Sequence, residues 1–144
     1  MRVTMMLADA AQAVGGKLYI LGGGWSMLGP GPTPFAMVLK FEIPWDQANR
    51  RHQWELRLLD EDGRPVALPS PDGETRPIEM GAAFEVGRPP GITPGTPLDY
   101  PFVIQFPPMP LPPGRRFEWV LTIDGRQEPS WRLAFSTRPG VPPA

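Results

Sequence analysis

The chain has 144 residues, with 14 basic side chains against 15 acidic ones and no cysteine. The charges are interspersed and sum to -1, so no basic block offers nucleic acid a broad electrostatic footprint. Without cysteine there are no disulfides, thiolate metal sites or cysteine nucleophiles.

The length suits one domain able to bury about two thirds of its unfolded surface. The opening stretch, Met1 to Asp9, has one basic residue and no long apolar core, so it does not read as a secretory signal. No apolar run approaches the roughly 18 residues that span a bilayer. The expectation is a cytoplasmic protein with neither a membrane nor a nucleic-acid partner.

In chain order, Val3, Met5 and Leu7 alternate with Arg2, Thr4 and Met6, the period of a strand. Asp9 to Gly16 is too short for a stable helix and reads as a wide connection closed by Gly15-Gly16. It leads into Lys17-Leu18-Tyr19-Ile20-Leu21, a strand whose apolar run suits burial on both faces. The two strands make an antiparallel pair, with a short crossover as the alternative. Gly22-Gly23-Gly24 then strips the chain of side chains before Trp25, which lets it bend or lets another backbone approach closely.

Gly29 to Pro34 is a proline-broken loop. After it, Phe35, Met37, Leu39, Phe41 and Ile43 share one face of a long half-buried strand, with Ala36, Val38, Lys40 and Glu42 on the other. Trp45 to His52 reads as a short polar turn capped by Asp46. Trp54, Leu56 and Leu58 point inward from the next strand. Asp60 to Arg64 is a turn, Pro65 to Leu68 a weak return strand, and Pro69 to Pro77 a polar loop.

Ile78, Met80, Ala82, Phe84 and Val86 form the following inward face. Gly87 to Pro97 is the longest irregular segment, of a length that often carries function. Tyr100, Phe102, Ile104 and Phe106 give another inward face. Phe117, Trp119, Leu121 and Ile123 lead through Asp124-Gly125 to Trp131, Leu133 and Phe135, a hairpin.

Seven or eight strands with turns between them, and no helical pattern of 10 to 12 residues, define an all-β chain. The expected architecture is a two-sheet antiparallel β-sandwich, immunoglobulin-like, with Greek-key crossings. It spans residues 1–137 as one domain, with 138–144 as a proline-rich tail.

The stretches Leu7-Ala8-Asp9-Ala10-Ala11-Gln12 and Gly16-Lys17-Leu18-Tyr19-Ile20-Leu21-Gly22-Gly23-Gly24-Trp25 resemble the opening of an uncharacterised family of small bacterial proteins. Phe41-Glu42-Ile43-Pro44-Trp45 and Leu59-Asp60-Glu61-Asp62-Gly63 fit the same family. Pro113-Gly114-Arg115-Arg116-Phe117 resembles the entry to a late strand of immunoglobulin-like domains, with Phe117 where tyrosine is common. The resemblance implies a fold and no activity.

Chemistry-bearing patterns are sparse. Gly22-Gly23-Gly24 lacks the following lysine and helix of a phosphate loop. Asp60 and Asp62 alternate as in a calcium loop, but no distal glutamate follows, and a solvated turn is the simpler reading. His52 is the sole histidine and sits among Arg50, Arg51 and Gln53, which reads as a surface position rather than a triad or zinc site. Glu55, Glu79, Glu85 and Glu118 are outward strand residues that no spacing pairs for hydrolysis.

Trp54, Trp119 and Trp131 belong to inward faces. Trp25 and Trp45 stand at strand ends where they can stack on a ligand or partner, and Arg88 joins them as a binding candidate. The reading is a non-catalytic binding or protein-interaction module, with self-association through a sheet edge, no cofactor, no catalytic residue and no metal. The alternatives are a carboxylate-dependent hydrolase and a structural part of a larger bacterial or phage assembly.

Overall fold

The computed structural model describes residues 1–140. It contains no α-helix there and eleven strands: β1 (Arg2–Val14), β2 (Lys17–Trp25), β3 (Met27–Leu28), β4 (Phe35–Ile43), β5 (Arg51–Asp60), β6 (Ala67–Pro69), β7 (Thr75–Pro77), β8 (Glu79–Glu85), β9 (Leu98–Phe106), β10 (Arg116–Ile123) and β11 (Arg126–Thr137). They form a four-stranded sheet in the order β2-β1-β4-β9, a five-stranded sheet in the order β3-β11-β10-β5-β8, and a β6-β7 ribbon. The all-β expectation holds, but eleven strands in three sheets replace seven or eight in two. The additions are β3, β6 and β7, pieces of two or three residues that the flanking prolines and glycines keep short.

The period-two faces do what alternation requires. Phe35, Met37, Leu39, Phe41 and Ile43 are all buried, as are Trp54, Leu56, Leu58, Phe117, Trp119, Leu121 and Ile123. The faces meet across one core. Trp119 of β10 stacks on Phe106 of β9 at 5.0 Å, and Phe84 of β8 stacks on Tyr100 of β9 at 4.7 Å. Offset aromatic stacks of this kind add to the area they bury. The indole N–H groups of Trp119 and Trp131 are buried without a protein acceptor, so both rings hold their places through apolar packing.

The first hairpin departs most from expectation. Asp9 to Gly16 is not a wide connection, because β1 runs on to Val14 and the turn is Gly15-Gly16 alone, at φ 59° and 74°. Two consecutive positive φ values twist a two-residue turn to match its strands. Ala10 pairs with Leu21 and Val14 with Lys17. The register shifts between Leu7 and Ala8, opposite Gly23, and β1 pairs with β4 only up to Ala8. Beyond that point the hairpin folds over the outer face of β4 and β9.

There Ala8, Ala11, Ala36 and Val38 form a second buried cluster, with Leu18, Ile20 and Val103 packed on it. The Gln105 amide donates to the Ala11 carbonyl at 2.6 Å and ties the arm down. This explains why Ala36 and Val38, expected on a water-facing side, are buried. The glycine bend is as read: Gly22 and Gly24 have φ of 60° and 89°, and a Cβ on Gly23 would lie 2.6 Å from the Ile20 methyl.

The same geometry corrects β2. It is a sheet edge, not a strand buried on both faces, and leaves Tyr19 57% and Leu21 72% exposed.

Smaller corrections follow from local hydrogen bonding. The turn after β4 is a 3-10 helix over Trp45–Gln47 whose N-cap is Pro44, so Asp46 lies inside the turn and caps nothing. The Pro65 to Leu68 return meets β5 only at the Leu59–Pro65 bridge and the Val66 N–H to Leu58 carbonyl bond of 3.0 Å, and then pairs as β6 with β7. The polar loop expected over Pro69 to Pro77 therefore carries that ribbon. Asp60 anchors its turn as expected, its Oδ1 accepting the N–H groups of Asp62 and Arg64 at 2.9 Å each. The tail begins held, with the Arg138 N–H on the Leu28 carbonyl at 2.9 Å, and its last four residues lie outside the described ones.

Candidate functional site

Two of the three expected binding residues come together. The Arg88 guanidinium lies 4.2 Å from the centre of the Trp45 ring and donates to the Trp45 carbonyl at 2.7 Å. A cation over an indole face is attracted by the ring quadrupole. The contact fastens the long 87–97 loop to the turn after β4, and it covers one face of the indole.

Trp25 is elsewhere. Its ring meets Phe35 edge-on at 5.9 Å, and its N–H is buried without a protein acceptor. Phe35 opens β4 and Ile43 ends it about 26 Å away at the usual rise per residue, with Trp45 two residues beyond Ile43. Trp25 therefore does not share a site with Trp45 and Arg88.

His52 overturns its sequence reading. It is 4% exposed, not a surface histidine. Its Nδ1 bonds Asp124 Oδ2 at 2.7 Å and its Nε2 bonds the Gln47 carbonyl at 3.1 Å. Both partner atoms are acceptor oxygens, and the ring is fixed between them at both nitrogens.

Asp124 sits at φ 50° in the two-residue turn between β10 and β11, and its Oδ1 also accepts the Gln53 N–H at 2.9 Å. Burial alone would raise the Asp124 carboxyl. The His52 ring bond, the Gln53 amide and the nearby His52 and Arg126 charges outweigh that and hold its pKa below the usual 3.8. With both ring nitrogens engaged, His52 has none free to take a proton from a nucleophile. The pair locks the turn to the start of β5. One sequence signal pointed there: His52 shares the inward parity of Trp54, Leu56 and Leu58.

Three surface clefts accompany these contacts. The first, about 390 Å³, is lined by His52, Asp124, Arg50, Arg51, Arg126 and Glu128, among others. The second, about 330 Å³, lies on the outer face of β5 and β8 and brings Glu55 and Glu79 together, with Arg57 directly across the ladder from Glu79. Sequence spacing could not have paired those carboxylates, since the pairing depends on strand register. Glu118 is instead held by Arg132 at 2.6 Å, and Glu85 faces Arg51 across the ladder. The third cleft is apolar and lies on the first hairpin, lined by Ala10, Tyr19, Leu21 and Gln105. Among the described residues no group of three or more His, Cys, Asp or Glu could hold a metal ion, and no helix is long and apolar enough to cross a membrane.

Fold and surface together define an all-β protein whose open features are a sheet edge and surface clefts. The chain belongs to a family of unknown function, DUF6941, whose family model matches residues 3–136. That agrees with the resemblance to an uncharacterised family seen in its opening strands. No curated protein and no solved structure matches the chain.

Proposed function

We propose that the protein is a non-catalytic interaction module that associates with a second copy of itself through the free edge of β2. The observation that carries this is a concentration of exposed apolar surface. Of the four large hydrophobic residues exposed among the described residues, Val14, Tyr19 and Leu21 lie on the β1-β2 hairpin. An edge strand offers unpaired N–H and C=O groups in a row, and proteins ordinarily blunt such an edge with charge or proline. Here only Lys17 does so, at the turn end. Antiparallel pairing of Lys17–Leu21 with its own copy is two-fold and sets Tyr19 and Leu21 among the same residues of the partner.

Sedimentation equilibrium over a range of concentrations tests this. Wild type should show a monomer–dimer equilibrium, and Leu21→Lys should remain monomeric. A wild-type protein monomeric at every concentration contradicts the proposal. An open-ended polymer would favour the assembly-component alternative instead.

Trp45 and Arg88 are retained as a separate contact patch for a protein partner, and Trp25, packed on Phe35, is the weaker candidate. We also read the two large sheets as an immunoglobulin-like sandwich with Greek-key crossings, supported by their inward faces meeting in one core. The bacterial setting follows from the sequence resemblance. A second reading, a carboxylate-dependent hydrolase, draws on Glu55 and Glu79 sharing a cleft. It requires glycosidase activity that Glu79→Gln abolishes, and no such activity is expected.

A further inference from the structure

We infer that the cleft beside the β10-β11 turn binds a phosphate group. Arg50 and Arg51 lead into β5 and Arg126 opens β11, so residues distant in sequence converge on one cleft of about 390 Å³. None of the three makes an ion pair or a side-chain hydrogen bond among the described residues. Arg2, Arg76, Arg115 and Arg132 each find a carboxylate. Arg51 even faces Glu85 across the β5-β8 ladder without closing an ion pair. These guanidiniums are therefore not part of the network that ties the surface together, and their donors meet no side-chain partner among the described residues.

The floor of the cleft is fixed. His52 is held at both nitrogens, and the Asp124 carboxylate is already engaged by His52 and the Gln53 N–H. The charged side chains that line the cleft besides His52 are three guanidiniums against the carboxylates of Asp124 and Glu128, and that of Asp124 is already engaged.

The geometry selects among anions. A guanidinium fork matches two oxygens of a carboxylate or a phosphate. One fork satisfies a carboxylate, whereas the terminal oxygens of a phosphate group can engage several forks at once. The cleft is larger than one phosphate group, and Glu128 can accept from a hydroxyl or amino group on the same ligand. The inference does not depend on the β2 edge.

The test is a titration of the full chain, followed by amide NMR shifts, with inorganic phosphate, phenyl phosphate and citrate in turn at constant ionic strength. Both phosphates should give saturable shifts confined to Arg50–Gln53 and Asp124–Glu128. Arg50→Ala/Arg126→Ala should weaken that binding by about tenfold or more, because charge-assisted forks are lost. Arg57→Ala, elsewhere on the same sheet, should leave it unchanged. Tighter binding of phenyl phosphate assigns the group to a larger ligand, and equal binding assigns the free anion. Absent or non-saturable shifts, shifts unchanged in the double variant, or citrate binding as tightly as phosphate overturn the inference.

Discussion

The molecule contains two long hairpins, each closed by a two-residue turn at positive φ, and they have opposite fates. β10-β11 turns at Asp124-Gly125 and lies inside its sheet, with Phe117, Trp119, Leu121 and Ile123 buried on one face. β1-β2 turns at Gly15-Gly16 and ends its sheet, with Tyr19 and Leu21 open to water. The first turn is bolted down by the His52–Asp124 pair, whereas the arm of the second is held by small side chains and the Gln105 amide. Apolar residues in one hairpin build the interior, and in the other they are left over after folding. That leftover apolar surface on a free edge is what the proposed association rests on.

Four substitutions separate these roles. The largest effect is expected for Trp119→Ala, which empties the centre of the core. Large aromatic-to-alanine changes cost about 3–5 kcal/mol, to be read from chemical denaturation. A loss under about 1 kcal/mol would mean that the β10 face is not the stabilising one.

Asp124→Asn keeps the turn conformation, since asparagine also tolerates positive φ, but removes the charge facing His52. With the carboxylate partly open to solvent, the loss should be only about 1–2 kcal/mol near neutral pH. The sign with pH is fixed. The folded Asp124 pKa is lowered, so its contribution is present above the ordinary 3.8 and disappears as pH falls through the folded value. The gap between wild type and Asp124→Asn should therefore close under acid. A gap that persists there would place its origin in packing.

Gln105→Leu should cost about 1 kcal/mol and raise hydrogen exchange in the hairpin arm while leaving Phe117 to Ile123 protected. Uniform acceleration would mean that the arm and the core open together. Leu21→Lys should change stability by less than about 0.5 kcal/mol, as exposed substitutions do. Under the proposed self-association, its effect falls on the monomer–dimer equilibrium instead.

Much of this contrast was legible in the sequence where one period could be read without knowing its neighbours. The faces of Phe35 to Ile43 and Phe117 to Ile123 follow from alternation alone, and Asp124-Gly125 announces its turn. The arm was not legible, because Asp9 to Val14 is strand only by virtue of its pairing with Lys17 to Leu21. Ala36 and Val38 are buried by a hairpin that curls over them, which local pattern does not encode. Tyr19 and Leu21 look like core residues until the strand order puts β2 at an edge.

At the site, Trp45 and Arg88 were singled out separately, and their contact depends on where a long loop lands. The polar surroundings of His52 in sequence hid its inward parity. The Glu55–Glu79 cleft depends wholly on β5-β8 register.

The claim that β2 is an edge built for a second copy is tested most directly by hydrogen exchange at β2 amides as protein concentration rises. Alternate amides between Lys17 and Leu21 should gain protection with concentration, while those of Phe117 to Ile123 do not change. Exchange at Lys17 to Leu21 that is identical at every concentration would contradict it.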